Sequence, residues 1–576
     1  MFRKNTRHYQ LPLTSHVDEL PEPLRERLEN SWAESFYREF FSRLDETPFA
    51  VLYSDLPSRP NVPVNVLVGL EFLKAANGWT DNEMYERFCY DLQVRYALGY
   101  RSLGDGQIDL RTVYYFRERL ARHMQETGEN LLEQAFEQVT DEQLRAFSLK
   151  TGKQRMDSTL LASNIRQMGR VQLLVTVLQR VWRMLSEADQ ERYAALFAPY
   201  VQDHPGHYLY QLRQEDLAEH LRRIGGDMRR LLQELQASYG EQPTYAVMAR
   251  VFAEHFRLEK EKLRVKGNSE LSASSLQSPD DLEATYREKN GKASRGYVAN
   301  LSETCDPENA VQLITKVQVA PNTTDDSTLL AAALPDLKER TGLSELYTDG
   351  AYGSAENDAL LAEQGVTLHQ TAIRGRKRQE DRLYLDDFDI QTDEQGQPLG
   401  LTCPQGQQAA VTRTRPGKSW RAAFAAEVCG RCPWRERCPL QLQQSGDYVL
   451  RFTDQDLRLA QRRRSMHRAG PAEKNLRAAV EATVRSVKHP FPAGKLPVRG
   501  LFRVACLVIG SAAVVNIRRL HRHWQVLRGG KLQQNQTKSR TERSQGRLQE
   551  ALSFLVDALL RAFRLRHMAA SPMLGW

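Results

Sequence analysis

The stretch AEKNLRAAVEATVRSVK, residues 472–488, carries the clearest two-sided pattern in this sequence. On a helix at about 100° per residue, it places a mostly apolar stripe opposite a charged face. The stripe comprises Leu476, Val480, Thr483, Val484 and Val487. The opposite face carries Lys474, Arg477, Glu481, Arg485 and Lys488. The stretch therefore predicts a helix packed on a core, with one carboxylate among four cations on its outer face.

This lone carboxylate has two interpretations. Glu481 can form an i,i+4 ion pair with Arg477 on a solvated surface, a contact usually worth about a few tenths of a kcal/mol. Alternatively, Glu481 is a metal-binding acid among cations that contact a phosphate backbone, Arg477 and Lys488 foremost. The second interpretation requires more carboxylates from elsewhere in the chain.

Two such carboxylates lie near the ends of predicted strands. The stretch KTGKQRMDSTLLASN, residues 150–164, predicts a strand that carries Asp157, and SELYTDGAYGS, residues 344–354, places Asp349 at the end of a short strand. Together with Glu481 they could hold two Mg²⁺ or Mn²⁺ ions about 4 Å apart, which suits phosphodiester chemistry. Taken singly, an aspartate in such a context is more often a turn former or a helix cap.

The segments around these acids predict a mixed α/β layer. Strand patterns are present at GYVANLSE (296–303), VQLITKVQVAP (311–321) and VTLHQTAI (366–373), and STLLAAALPDLKERTG (327–342) predicts a helix that ends at Gly342. In such sheets functional side chains collect at strand ends. Residues 167–265, by contrast, have helical apolar spacing and predict an inserted helical lobe for clamping, dimerisation or DNA contact.

The first 125 residues predict short helices. Thr80 with Glu83 forms a capping-box pattern that opens a helix over residues 81–98, and a basic helix begins at Leu110. A basic last helix suits a helix-turn-helix-like DNA reader, although an ordinary helical bundle has the same pattern. The candidate DNA contacts on this helix are Arg111, Arg117 and Arg119.

Four of the seven cysteines lie within 36 residues, at Cys403, Cys429, Cys432 and Cys438. The central Cys-x2-Cys pair, with Gly and Pro at the neighbouring turns, predicts a small structural zinc knot. Four unrelated free thiols are the alternative. With no secretory signal pattern in the sequence, we expect a cytoplasmic protein rather than a disulfide framework.

The net charge of +8 is concentrated in the last 76 residues. Residues 501–576 hold 13 Lys and Arg against 3 Asp and Glu, so the first 500 residues carry a net −2. This excess indicates a polyanionic partner, most simply nucleic acid, or else a merely soluble basic tail. Within the tail, residues 501–520 predict a buried core helix rather than a membrane span, and LQEALSFLVDALLRAFRLRH (548–567) predicts an amphipathic helix.

Several motifs, in this order, resemble the DDE transposases of bacterial insertion sequences. They are MDST around Asp157, LYTDGAYG around Asp349, Arg477-x3-Glu481-x6-Lys488, and SPDDLEATYREKNGKASRGYVANLSETCDPEN at 278–309. The resemblance covers most of residues 15–525 and is to the branch with a helical N-terminal domain and a C-terminal cysteine cluster. Related transposases have a tyrosine three residues before the motif arginine, where this chain has Lys474.

The resemblance implies an α/β fold with a ribonuclease H-like (retroviral-integrase-type) core. It implies that Asp157, Asp349 and Glu481 bind catalytic Mg²⁺ or Mn²⁺, and that Lys474, Arg477, Arg485 and Lys488 contact DNA. The implied activity is cleavage at the terminal inverted repeats of double-stranded DNA, followed by attack of the freed 3′-OH on target DNA. A homodimer or higher oligomer in the bacterial cytoplasm, with no membrane partner, would join the two ends.

The expected organisation has seven segments. They are a helical N-terminal DNA-binding domain (1–125), the start of the core (126–166), a helical insertion (167–270), the continued core (271–378), a Cys-rich zinc knot (379–465), core helices with Glu481 (466–525), and a basic linker with an amphipathic helix (526–576). Two other functions remain open: a ribonuclease H-like nuclease without strand transfer, and a catalytically inactive DNA-binding regulator.

Overall fold

The structure is a computed structural model in which two six-stranded sheets follow a helical N-terminal region. It describes residues 1–529 except 11, 13, 55, 57, 58, 202–207, 209–211, 214, 261, 290, 372–378, 394–395, 415–418, 469–475 and 492–493. The predicted basic linker and C-terminal amphipathic helix lie outside the described residues.

Helices fill most of the first 146 residues. They are α1 (Glu22–Glu29), α2 (Trp32–Phe36), α3 (Val64–Asn77), α4 (Asp81–Tyr90), α5 (Leu92–Ala97), α6 (Leu110–Thr127) and α7 (Leu131–Ala146), with short turns at Arg7–Tyr9, Tyr37–Phe41 and Thr47–Leu52. The predicted capping box is confirmed, because the Thr80 backbone N–H donates to Glu83 Oε2 at 2.7 Å and the Glu83 N–H donates to Thr80 Oγ1 at 3.2 Å. The single helix predicted over residues 81–98 is wrong, since the Asp91 side chain caps a separate helix α5.

A helical lobe interrupts the chain after its first strand, β1 (Lys153–Ala162). The lobe contains α8 (Arg170–Met184), α9 (Glu187–Phe197), α10 (Leu217–Tyr239) and α11 (Pro243–His255), followed by a hairpin of β2 (Phe256–Glu259) and β3 (Lys262–Val265). The helices predicted here are present, and they pack around an apolar cluster of their own. The hairpin was not predicted.

His255, at the end of α11, is buried against α8. Burial first, and then the charges of Arg170 and Lys266, lower the pKa of His255 to about 4. Arg170 Nε donates to His255 Nδ1 at 3.0 Å, and this contact requires an unprotonated Nδ1. The lobe therefore holds His255 in its neutral form.

We expect the lobe to lose stability as the pH falls from about 6.5 towards 4, because the unfolded chain then binds a proton that folded His255 does not. The stabilisation is present above the unfolded pKa and is lost as the pH falls through the folded value. Between pH 7 and about pH 5, the free energy of unfolding of the lobe should fall by about 2 kcal/mol more in the wild type than in His255→Gln. Hydrogen exchange of the α8 and α11 amides measures this difference. Equal losses in both proteins would contradict the assignment.

The central sheet contains β1 and five later strands. These are β4 (Thr285–Lys289), β5 (Lys292–Thr304), β6 (Ile314–Pro321), β7 (Glu345–Thr348) and β8 (Thr367–Gln370), with α12 (Asp326–Thr341), α13 (Ala355–Glu363) and short turns at Asn268–Glu270 and Gly350–Tyr352. The strand order is β4-β5-β1-β7-β8, with β6 also on β5. Strands β1, β7 and β8 are parallel, whereas β5 is antiparallel to β1, β4 and β6. The predicted mixed α/β layer is confirmed.

The cysteine-containing region is built on a second sheet. It contains β9 (Asp389–Thr392), β10 (Pro398–Thr402), β11 (Gln408–Arg413), β12 (Trp420–Phe424), α14 (Ala426–Cys429), β13 (Gln441–Leu442) and β14 (Tyr448–Phe452), with short turns at Leu385–Asp387 and Arg435–Arg437. All strand pairs are antiparallel, in the order β13-β14-β12-β11-β10-β9. The prediction of a small knot missed this sheet and its core around Phe388, Trp420 and Phe424.

Three helices complete the described chain: α15 (Asp454–Arg468), α16 (Val480–Lys488) and α17 (Leu501–Gly529). Helix α17 is long and apolar enough to cross a membrane by length and composition, and 67% of its most apolar window is buried inside the protein. It packs on α3, where a Cβ at Gly510 would lie 3.0 Å from Ala75 Cβ. On its other side, Asn516 exchanges two hydrogen bonds with the Ile314 backbone in β6. One apolar core thus joins the N-terminal helices, α17 and the central sheet.

Candidate active site

Asp157 and Asp349 lie at neighbouring positions on two parallel strands. The register of β1 on β7 pairs Lys153 with Glu345 and Arg155 with Tyr347. Extending this register by two residues aligns Asp157 with Asp349, which directly follows β7. Asp349 Oδ1 accepts the Ala351 N–H at 2.8 Å, so the turn after the strand fixes the carboxylate at the sheet edge. The parallel pairing therefore brings together two acids that are far apart in sequence.

Helix α16 packs against β1 and brings Glu481 near Asp157. The predicted stripe packs this helix inward, with Val480, Thr483, Val484 and Val487 buried. The outward carboxylate of Glu481 accepts from Arg477 Nη1 at 3.1 Å, while Arg477 Nη2 donates to Asp157 Oδ1 at 3.2 Å. Arg477 therefore bridges Glu481 on the helix and Asp157 on the strand. The interpretation of Glu481 as a surface ion pair with Arg477 did not include the contact with Asp157.

The local electrostatics differ sharply between these acids. Burial raises the pKa of Asp157, Arg477 opposes that rise, and the nearby charge of Asp349 adds to it. The Asp157 side chain is only 13% exposed, whereas that of Glu481 is 48% exposed. A buried carboxylate beside a second acid needs a positive partner, and here Arg477 supplies one.

Lys488 anchors α16 to the strand that carries Asp157. Its Nζ donates to Thr159 Oγ1 at 3.1 Å and to the Leu160 carbonyl at 3.0 Å, and burial lowers its pKa. An open groove of ≈ 540 Å³ contains Asp157, Glu481 and Lys488 in its lining. The predicted DNA contact Lys488 thus also holds the helix in place.

The other predicted DNA contacts occupy different settings. Arg485, in the same groove, is 82% exposed. On α6, Arg119 stacks 5.1 Å from the Tyr53 ring, and Arg111 follows the capping residue Asp109. Arg117 forms ion pairs with Glu71 and Asp81. Burial lowers the pKa of Arg117, but these two carboxylates outweigh it and raise the pKa. Lys474 lies outside the described residues.

The four predicted zinc ligands line one cavity of ≈ 260 Å³ beside the second sheet. Burial, and then the charges of the other three thiols, raises the pKa of Cys429. In the part of the chain that the structure describes, however, no three His, Cys, Asp or Glu side chains are grouped closely enough to hold a metal ion. Neither the four cysteines nor the three acids are therefore close enough together to hold a metal as they stand. Among the acids, Arg477 lies between Glu481 and Asp157.

Two family matches extend these observations. The family described as "Transposase DDE domain" matches residues 402–521, which include Glu481 and the four cysteines, and "Transposase domain (DUF772)" matches residues 25–119. The chain therefore carries a transposase DDE domain and, nearer its N-terminus, a second transposase domain. This transposase is therefore a DNA-binding, metal-dependent enzyme of DNA cleavage and strand transfer. No match was found among curated proteins or among solved structures.

Neither matched segment of the transposase includes Asp157 or Asp349. Their assignment to the site depends instead on the strand register and on the Arg477 bridge. Sequence reasoning also missed Tyr352, which is fully buried and donates to Asn300 Oδ1 at 2.7 Å. Its hydroxyl lies near Asp157 and Asp349, whose charges contribute to its raised pKa after burial and Asp326. The signal was present, since Tyr352 is the last residue of the turn that Asp349 begins.

Proposed function

We propose that this chain is the transposase of an insertion sequence, cutting at terminal inverted repeats and joining the 3′-OH ends to target DNA. Its core would be ribonuclease H-like, with Asp157, Asp349 and Glu481 as the metal-binding triad. The observation that carries the proposal is the grouping of Asp157, in the middle of β1, with two further acids. Glu481 shares its groove and is bridged to it by Arg477, and Asp349 lies beside it in the register of β1 on β7. The mixed sheet, with Asp349 directly after β7 and Asp157 in the middle of β1 rather than at its end, supports the core assignment.

The donor chemistry fits a hard divalent cation. Asp157 and Asp349 offer carboxylate oxygens in a partly buried setting, where burial and then the charge of Asp349 raise the pKa of Asp157. Glu481 adds a third carboxylate at the groove. When bound, a pair of Mg²⁺ or Mn²⁺ ions activates the attacking hydroxyl and stabilises the leaving oxygen of the phosphodiester.

The chain's own side chains have separate tasks in this proposal. Arg477 neutralises Asp157 and Glu481 and keeps them close together, and Lys488 fixes α16 on β1. Exposed Arg485 projects from the same helix and would contact a phosphate, as would Lys474 before it. The groove thus combines acids that hold metal with cations that hold the DNA backbone.

Helix α6 supplies a second candidate DNA surface. Tyr114 and Tyr115 are exposed on it, 44% and 53% respectively, beside Arg111 and Arg119. Arg117 is committed to Glu71 and Asp81, so we assign it to holding α6 on the neighbouring helices rather than to reading DNA. Exposed aromatic and basic side chains on one helix suit backbone and base contacts.

A strand-transfer assay with a pre-cut element end tests the proposed activity. The proposal predicts a joined product that depends on Mg²⁺ and on a free 3′-OH. Cleavage without joined product would indicate the nuclease alternative, and DNA binding without cleavage would indicate the regulator. Short inverted repeats flanking the reading frame would supply the natural ends for this assay.

Joining two ends requires two copies of the site, so we propose a homodimer or higher oligomer that acts in the bacterial cytoplasm. Light scattering of the protein with and without paired element ends tests this assembly. A single chain per pair of ends would contradict it.

We further propose that Cys403, Cys429, Cys432 and Cys438 bind one structural Zn²⁺. Their thiols line one cavity, and thiolates that raise one another's pKa are stabilised by a shared soft cation. We expect about one zinc per wild-type chain and less than about a tenth in Cys432→Ser. Metal analysis of the purified protein measures this, with Cys89→Ser, outside the cavity, as the matched control. Equal metal content in all three proteins would contradict the site.

A further inference from the structure

A buried charge cluster lies directly behind the proposed triad. Glu303 in β5 is fully buried, and its Oε1 accepts from Arg155 Nε at 2.6 Å. Its Oε2 accepts from Thr483 Oγ1 at 2.7 Å and from Arg519 Nη1 at 2.7 Å. With both oxygens occupied and no exposure, Glu303 is not available as a metal ligand.

The cluster connects the two elements that carry Asp157 and Glu481. Arg155 lies two residues before Asp157 in β1, on the same face of the strand, and is the cross-strand partner of Glu303. Its Nη1 also donates to the Leu476 carbonyl at 2.7 Å, next to Arg477. Arg155 therefore links β1, the strand that carries Asp157, to the backbone just before α16.

Thr483 fixes the helix from within. It lies two residues after Glu481, about 200° around the helix, so it points into the core when Glu481 points to the groove. Thr483 is 1% exposed, and its hydroxyl is held by both Glu303 and Arg519 of α17. Arg519 also donates to the Gln312 carbonyl at 3.0 Å, which ties α17 to the segment before β6.

We infer that Glu303, with Arg155, Thr483 and Arg519, is a positioning cluster that sets the rotation and distance of Glu481 relative to Asp157 and thereby the affinity for the catalytic metal. This inference rests on the proposed triad. Its members touch neither substrate nor metal and act through the helix. Groups behind metal ligands commonly change metal affinity by about 10–100-fold when they are removed.

A second, partly buried charge cluster provides a control. Lys316 in β6 binds Glu137 of α7 at 2.8 Å and Asp336 of α12 at 2.9 Å, and Arg340 binds Asp141 at 2.8 Å. This cluster also joins separate elements through charges of low exposure. Among the described residues, the ion pairs of its members join β6, α7 and α12 and do not reach α16 or β1. Its disruption should lower stability without moving Glu481.

The test compares Thr483→Val, which keeps the shape and removes the hydroxyl, with Thr483→Ser and with Glu137→Gln. Mn²⁺ binding is followed through the EPR signal of the free ion, and cleavage of an element end is followed as a function of Mg²⁺ concentration. Thr483→Val should raise the Mn²⁺ dissociation constant and the half-saturating Mg²⁺ concentration by about 10-fold or more. At saturating metal its cleavage rate should stay within about 3-fold of the wild type, and Thr483→Ser and Glu137→Gln should stay within about 3-fold in metal affinity.

A second variant protects the test if Thr483→Val does not fold. Arg519→Lys keeps the charge but loses the fork that spans Glu303, Thr483 and Gln312, and it should also weaken Mn²⁺ binding. The comparison is made between proteins with a similar loss of melting temperature. The inference is overturned if folded Thr483→Val or folded Arg519→Lys changes the affinity for Mn²⁺ no more than Glu137→Gln does. If wild-type protein neither cleaves DNA nor binds Mn²⁺ in a manner that Asp157→Asn removes, the proposed triad fails instead.

Discussion

Asp157→Asn, Asp349→Asn and Glu481→Gln are each expected to lower the rate of DNA cleavage by about 10³-fold or more while DNA binding stays within about 3-fold of wild type. Each change removes a negative charge at the groove and keeps the side-chain shape, so only metal binding should suffer. Cleavage of a labelled element end and a gel-shift titration measure the two quantities.

A matched control is Asp325→Asn. Asp325 is 64% exposed at the N-cap position of α12, and its side chain makes no capping hydrogen bond that asparagine would lose. Its cleavage rate should equal that of wild type. A triad variant that cuts as fast as this control would remove its residue from the site.

Gly296→Ala is expected to destabilise the protein by about 4 kcal/mol or more. Gly296 has φ +150° and pairs with the end of β1, where a Cβ would collide with the Leu161 carbonyl oxygen and lie 2.6 Å from the Ser163 nitrogen. Both obstacles are backbone atoms, so the strand that carries Asp157 would have to move. Thermal unfolding and soluble yield measure the loss.

The control for this change is Gly226→Ala in α10. Apart from its chain neighbours and the backbone of its own helix, a Cβ at Gly226 would meet no atom within 4 Å, and its φ is not positive. Alanine there should leave the melting temperature unchanged or raise it, since it favours a helix by about 1 kcal/mol over glycine. Equal stability of the two variants would show that Gly296 tolerates a side chain.

Local patterns predicted the elements that carry the site. The apolar stripe of residues 476–487 anticipated the buried face of α16, and strand patterns anticipated β1 and β7 with their acids. These signals depend on side-chain periodicity over a few residues, which sequence displays directly. The resemblance to DDE transposases agrees with the family matches.

The contacts that sequence did not predict join distant parts of the chain. Arg477 lies four residues from Glu481, which made their pairing foreseeable, but its bond to Asp157 spans 320 residues. Arg117 was predicted to contact DNA, and only the packing of α6 on α3 and α4 reveals its acidic partners. The second sheet was not predicted because its strands have six residues or fewer, which gives a weak strand pattern. The cysteine spacing in the same region predicted a small zinc knot instead.

Anomalous diffraction from Mn²⁺ bound to the protein–DNA end complex tests the triad most directly. We predict manganese at about 2–2.5 Å from carboxylate oxygens of Asp157, Asp349 and Glu481, with Arg477 displaced from at least one of its two acids. Manganese bound elsewhere, or held by the two aspartates while Glu481 stays paired with Arg477, would contradict the three-acid site.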